Sequence, residues 1–258
     1  MDVLARHDVA LIRADNPGPF TLEGTNTWLV GRDPCTVIDP GPALEAHLDA
    51  IASEAVRRGG VEAIALTHDH ADHSAGVAGL RERTGRPRVA AARGSVETLL
   101  TGGDALGPLM ALATPGHAPD HLAFVAGPVA FTGDAVLGHG SVFISPDPGA
   151  LAGYLTALSR LRELPLELLC PGHGPPLERP AAKLTEYIEH RLERERRLLD
   201  ALQAGARTED ELLDRAWDDA PAILRPAAAL TLRAHLDKLA DEGRLPEGVE
   251  RRTASGER

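Results

Sequence analysis

Cysteine is nearly absent. Cys35 and Cys170 are the only two in 258 residues and form no C-x-x-C pair, so neither a disulfide framework nor a thiolate zinc knuckle is expected. They read as two buried, reduced thiols. Aromatic residues make up 3% of the chain, so a core has to be built from Ala, Val, Leu and Ile, and few rings are on hand to stack against bases. No apolar run approaches the roughly 18 residues of a membrane helix, and Met1 to Asp8 contains no basic stretch leading into an apolar one. The expected location is therefore cytoplasmic, with no membrane partner. An excess of positive charge is missing too: the formal net charge is −11, and from Ala181 onward 14 Lys and Arg stand against 17 Asp and Glu. Arg191, Arg194, Arg196 and Arg197 are interleaved with glutamates, which weakens them as a phosphate track.

What is present is one dense cluster. His68-Asp69-His70-Ala71-Asp72-His73 places three histidines and two aspartates in six consecutive positions, in a chain with only 11 His. Imidazole and carboxylate suit zinc, iron or manganese, so the stretch reads as half of a metal site. With 43% apolar and 25% charged residues the chain is ordinary for a folded protein. Its length suits one large α/β domain, or a domain of about 180 residues with a small companion.

Short strands are expected at Val9 to Ile12, Thr27 to Val30 and Cys35 to Asp39, followed by a helix from Ala43 with Leu44, Leu48, Ile51 and Val56 at helical spacing. Val61 to Leu66 is again a strand, so the histidine cluster begins where a buried strand stops, the usual place for chemistry in α/β proteins. Ser74 to Arg83 reads as a helix. Further strands are expected at Arg88 to Ala92, Leu109 to Ala113, His121 to Val125, Val129 to Phe131 and Leu166 to Leu169, with a helix over Gly149 to Leu164. Near residue 180 the pattern changes. Ala181 to Ala204 is a long charged helix with an apolar seam at Leu184, Ile188, Leu192 and Leu199, and its Glu193 to Arg197 run reads as a solvated face. Thr208 with Glu211 offers a capping box for a short helix to Trp217, Ile223 to Leu239 forms another, and the turn-rich tail Glu242 to Pro246 follows. The three helices and tail resemble a winged helix. Residues 1–180 and 181–258 are the two expected domains, and Thr253 to Arg258 are expected to fray.

Three later strand ends carry the missing ligand types: Pro115-Gly116-His117, Thr132-Gly133-Asp134 and Pro171-Gly172-His173. In this order the motifs resemble the metallo-β-lactamase superfamily, an αββα sandwich of the α/β class with its ligands along one edge. The resemblance implies that His68, His70 and His117 bind one metal, that Asp72, His73 and His173 bind the other, and that Asp134 bridges. Two Zn²⁺ are the implied cofactors, with iron or manganese as alternatives; His70 stands where the di-iron members carry Glu. A water shared by such ions has its pKa lowered to about 7 and becomes a hydroxide nucleophile, with Asp72 orienting it and Asp134 holding the ions. Asp39, Asp69 and His121 are candidates to support the ligands from behind. His7, His47, His190 and His235 read as ordinary helix or surface residues.

The run from Asn16 to Gly31, together with Val136 to Ser141 and the C-terminal helices, is similar to the lactamase-β-2-like branch, whose members include endoribonucleases and polyketide thioester hydrolases. A small ester or thioester is the expected substrate, with single-stranded RNA as the alternative. A glyoxalase-II-like hydroxyacyl-thioester hydrolase is a further alternative, although no glutathione-binding set is recognisable; Tyr154 and Tyr187 read as helix-packing residues. A nucleic-acid-binding regulator with structural metals is the reading from another class. His139 and Ser141, in the loop after Asp134, are candidate donors to a substrate carbonyl, and the C-terminal helices are expected to serve as a lid or in a homodimer.

Overall fold

The computed structural model describes residues 3–251; the fraying expected at Thr253 to Arg258 lies outside the described residues. Strands β1 (Val9–Arg13), β2 (Asn26–Val30), β3 (Cys35–Ile38), β4 (Val61–Ala65), β5 (Arg88–Ala91) and β6 (Thr98–Leu99) form one sheet in that order. The second sheet contains β7 (Ala105–Leu106), β8 (Leu109–Ala113), β9 (Leu122–Ala126), β10 (Val129–Gly133) and β11 (Leu168–Pro171), in the order β11-β10-β9-β8-β7. The two-residue strands β6 and β7 are too short to leave a periodic pattern in the sequence.

Strand alternation explains the layers. In β2, Trp28 and Val30 face the space between the sheets while Leu29 faces outward; in β10, Val129 and Phe131 face inward while Ala130 faces outward. Both faces of each strand are buried. Between the sheets these side chains meet Ile38, Phe124 and Cys170. Outside the first sheet, α1 (Glu45–Arg57) and α3 (Val77–Arg83) bring Leu48, Ile51 and Leu80 onto Leu29, Val37 and Ile64. Outside the second, α4 (Ala150–Glu163) and α5 (Pro180–Gln203) bring Leu151, Tyr154, Leu184 and Tyr187 onto Ala130 and Leu169. The αββα sandwich follows from this burial of alternate faces. Cys35 and Cys170 are free and buried.

The helix expected over Ser74 to Arg83 is in fact two. α2 (Ala71–Ser74) starts early enough to hold Asp72 and His73, and the Gly76 N–H turns away to Gly41 O (2.8 Å) before α3 begins. Beyond α5, α6 (Glu209–Ala216) starts at the Thr208–Glu211 capping box and α7 (Arg225–Asp241) follows a short 3-10 turn. The second half of α5 joins them in another core, with Leu198 and Leu202 against Leu212, Trp217, Leu232 and Leu236. The buried face of α5 is not the simple apolar seam expected: Leu192 is half exposed, whereas Tyr187, Arg191, Arg194 and Glu195 are buried. Glu193 to Arg197 is thus only partly a solvated face. No strand follows β11 among the described residues, so the tail adds turns rather than a paired wing. Among them, no helix is long and apolar enough to cross a membrane.

Candidate metal centre

β4, β8, β10 and β11 each end at one rim of the sandwich, and the segments just beyond them carry the seven candidate ligands. The rims of the two sheets are stitched together there. The Leu122 N–H donates to Thr67 O (2.7 Å) and the Asn26 N–H to Gly172 O (2.7 Å), while the Asn26 side chain donates to Pro171 O (3.0 Å) and Gly174 O (2.7 Å). These links cross between sheets, so the ligands sit on a rigid seam rather than on independent loops.

His68, His70 and His117 converge as one group, His68, His73 and Asp134 as a second, and Asp72, His73 and His173 as a third. His70 Nδ1 lies 3.0 Å from His68 Nε2 and 2.9 Å from His117 Nε2. His173 Nε2 lies 3.3 Å from both His73 Nε2 and Asp72 Oδ2. Asp134 faces both sides: Oδ2 is 3.5 Å from His117 Nε2, and Oδ1 is 3.5 Å from His73 Nε2 and 3.4 Å from His173 Nε2. Metal–ligand bonds of about 2.0–2.1 Å in a tetrahedron put neighbouring ligand atoms roughly 3.3 Å apart, the spacing found here.

The far nitrogens make the fit chemical as well as geometric. Thr67 Oγ1 is committed as donor to Asp39 Oδ2 (2.6 Å), so its other contact, with His68 Nδ1 (3.0 Å), is one in which the ring donates. His73 Nδ1 donates to Asp39 Oδ2 (2.9 Å), His117 Nδ1 to Phe143 O (3.4 Å) and His173 Nδ1 to Gly24 O (3.3 Å). With Nδ1 spent on an acceptor, the neutral rings of His68, His73, His117 and His173 turn the Nε2 lone pair to the middle, where a cation can take it. Asp134 Oδ1 is buried without a hydrogen-bond partner, another atom left for a cation. At Gly172, an added Cβ would stand 2.5 Å from that oxygen and 2.7 Å from His73 Cε1; the cradle exists because the residue has no side chain.

Burial works against the Asp134 carboxylate, but His73 and His173 outweigh it and hold its carboxyl well below the usual range. Burial likewise opposes charge on His173, but Asp134 and Asp72 raise it to about 9. Burial pushes His117 down to about 4 and His121 to about 3. His121 touches no ligand side chain by hydrogen bond: its Nε2 accepts the Asp134 backbone N–H (3.1 Å), and its Nδ1 lies 2.7 Å from Thr114 Oγ1. Asp39 supports both His73 and the Thr67 backbone N–H (2.7 Å). Asp69 does not take part. It is exposed and faces Arg93 at 3.7 Å, because its position between His68 and His70 turns it away from the seam.

A cavity of about 270 Å³ opens from His117 and Asp134. Phe20, Leu22, Leu137 and Phe143 line one side, and Trp217, Leu224, Ala228 and Thr231 of the C-terminal helices the other. His139 and Ser141 are on its rim, though His139 is exposed and paired with Glu23 (2.8 Å). Ser141 Oγ instead accepts from Arg191 Nη2 (2.9 Å). The side chains that shape this loop were not anticipated as site residues. Tyr154 Oη donates to Ala135 O (2.6 Å), Tyr187 Oη accepts the Leu137 N–H (3.0 Å), and Arg191 donates to Val142 O. Helical spacing from Leu184 through Tyr187 to Arg191 is the signal that places Arg191 on the buried face. His190, His47 and His235 also differ from an ordinary surface role: His190 lines the cavity, and the other two are buried.

The molecule is thus a two-sheet sandwich with a His/Asp centre fit for metal ions on one rim and a cavity opening from it, the build of a metal-dependent enzyme. Residues 20–98 and 92–173 match the metallo-beta-lactamase superfamily, and residues 208–249 match the beta-lactamase associated winged helix domain; the chain belongs to that superfamily. It is 30% identical to a beta-lactamase-like protein 2 homolog of Caenorhabditis elegans, over 91% of this chain and 85% of the relative. It is 35% identical to an atrochrysone carboxyl ACP thioesterase of Aspergillus chevalieri, over 76% of this chain and 66% of the relative. A metallo-beta-lactamase family protein of Thermus thermophilus superposes with a TM-score of 0.73 at 25% identity, covering 92% of this chain and 94% of that one. A protein solved in a di-iron-bound form superposes with a TM-score of 0.52 at 29% identity, over 64% of this chain and 93% of its own.

Proposed function

We propose that this protein is a zinc-dependent hydrolase of a small ester or thioester. The observation that carries the reading is the cavity. It opens from His117 and Asp134, is walled mainly by apolar side chains, and at about 270 Å³ takes an acyl group rather than a length of polynucleotide. A nuclease needs an exposed track of cations; here Arg191 and Arg194 are buried and the chain carries −11. The thioesterase among the relatives supports the same choice.

His68, His70 and His117 would hold one ion, Asp72, His73 and His173 the other, and Asp134 both. When bound, such a pair supplies a hydroxide nucleophile at neutral pH by lowering the pKa of water to about 7. The chain's own residues do the rest. Asp134 spans the two groups with one oxygen on each side, Asp39 and Thr67 fix the rings of His73 and His68, and the apolar walls exclude bulk water from the acyl group. The imidazole and carboxylate donors suit either zinc or iron; His70 at the second position, where the di-iron members carry Glu, is what favours zinc over the di-iron occupancy of the similar structure.

Metal analysis of the purified protein, followed by acyl-thioesters, esters and single-stranded RNA assayed beside Asp134→Ala, tests the reading. Zinc near two equivalents and thioester turnover lost in the variant are expected. Iron as the retained metal, or RNA cleavage that exceeds thioester turnover and falls steeply with salt, would overturn it.

A further inference from the structure

On the wall of the same cavity lies a charge with no counterion among the described residues. Arg191 is 2% exposed and its guanidinium lines the cavity. Nη2 donates to Ser141 Oγ and Val142 O, and the group lies 5.7 Å over the Tyr154 ring, but Nε has no partner and no carboxylate pairs with it among the described residues. The nearby acids are committed elsewhere. Asp219 takes Arg194 in a two-point contact (2.7 and 2.9 Å), and Glu195 takes Lys238 (2.7 Å) and Arg244 (2.8 Å). A guanidinium cannot shed its proton to escape burial, and an unpaired buried charge is costly unless something compensates it. Neither hydroxyl nor ring supplies the missing negative charge.

Two neighbours are arranged as donors. Ser141 Oγ receives the arginine N–H, and its own proton has only a long contact, to Val142 O (3.4 Å), which a stronger acceptor can replace. His190 Nε2 accepts from Arg194 Nε (3.4 Å), so its Nδ1 carries the proton, on the side of Ser141 Oγ at 3.5 Å. Arg191, Ser141 and His190 all line the cavity that opens from Asp134.

We propose that Arg191, with Ser141 and His190, forms a carboxylate subsite, so that the acyl group cleaved at the metal centre ends in a second, anionic carboxylate across an apolar span. This rests on the ester or thioester reading above. The charge-assisted contacts a carboxylate would make there are the strong class of hydrogen bond, and the apolar walls between the subsite and Asp134 accommodate the methylenes in between.

The test uses zinc-loaded protein and matched pairs of thioesters of N-acetylcysteamine: succinyl against butyryl, glutaryl against valeryl, adipyl against hexanoyl, suberyl against octanoyl. For at least one chain length the carboxylate-ended member should exceed its neutral partner in kcat/KM by about tenfold or more, and Arg191→Gln should bring that ratio to within about twofold. Isothermal titration of the free diacids against the matched monoacids reads the same subsite without turnover, since both members of a pair offer one carboxylate to the metals. A diacid advantage lost in Arg191→Gln supports the subsite even if no thioester is cleaved, in which case the hydrolase reading alone fails. Equal binding of diacid and monoacid by the wild-type protein at every length overturns the subsite, and does so even if Arg191→Gln fails to fold.

Discussion

At Gly172 a side chain and a carboxylate compete for one space. Its backbone conformation is open to other residues, but a Cβ there would press on Asp134 Oδ1 and His73. Gly172→Ala is therefore expected to fold, to retain less than a full complement of metal and to lose most hydrolysis; metal analysis alongside circular dichroism checks this. Asp39 acts one step further out, through His73 Nδ1 and Thr67. Asp39→Asn keeps the shape but weakens the acceptor that fixes the ring, and metal affinity should fall about 10–100-fold, read by competition with a chelator. All seven candidate ligands were legible as residue types at strand ends. Asp39 was legible only as a candidate, and Arg191 not as a site residue, because the value of each depends on which atoms a distant element brings to it.

Among the elements, α5 was visible as a helix but not in its allegiance. Charged residues at helical spacing look like a solvated face, yet Arg194 and Glu195 are buried because partners from α7 and the Trp217 to Asp219 turn meet them. α7 contributes His235, fully buried, packed on Trp217 and with neither ring nitrogen bonded. Burial, reinforced by Arg191, pushes it well below its ordinary value of 6.5, and burial pushes His47 and His190 to about 4. The sign follows: below about pH 6.5 the unfolded chain takes up protons that the folded rings refuse, so stability falls as pH drops from about 6.5 toward about 4. His235→Leu should flatten part of that slope and raise stability at neutral pH by about 1–3 kcal/mol, the cost of a buried polar group left unmatched. Urea titrations of both proteins across this pH range measure it.

For the whole molecule, the strands were legible as short apolar runs between turn residues, and the sandwich through the resemblance its ligand motifs carry. Which side chains the C-terminal helices, expected as a lid or in a homodimer, bring to the cavity was not legible, since no local pattern encodes which rim a helix covers. α5 enters two cores, with Tyr187 in one and Leu198 in the other, and Arg191 between them grips the loop after Asp134. The two parts should melt together, as one calorimetric transition whose van't Hoff and calorimetric enthalpies agree; two resolved transitions would contradict the shared helix. The cavity divides its ownership along the same line: strand ends of the sandwich supply the reacting end, and residues such as Trp217, Leu224 and Ala228 supply much of the far wall. Such a division makes the enzyme evolvable. On the proposed function, a library confined to positions 217, 224, 227 and 228 is expected to exchange one preferred acyl group for another while every candidate metal ligand keeps its surroundings, so that new specificities are selected without first losing the chemistry.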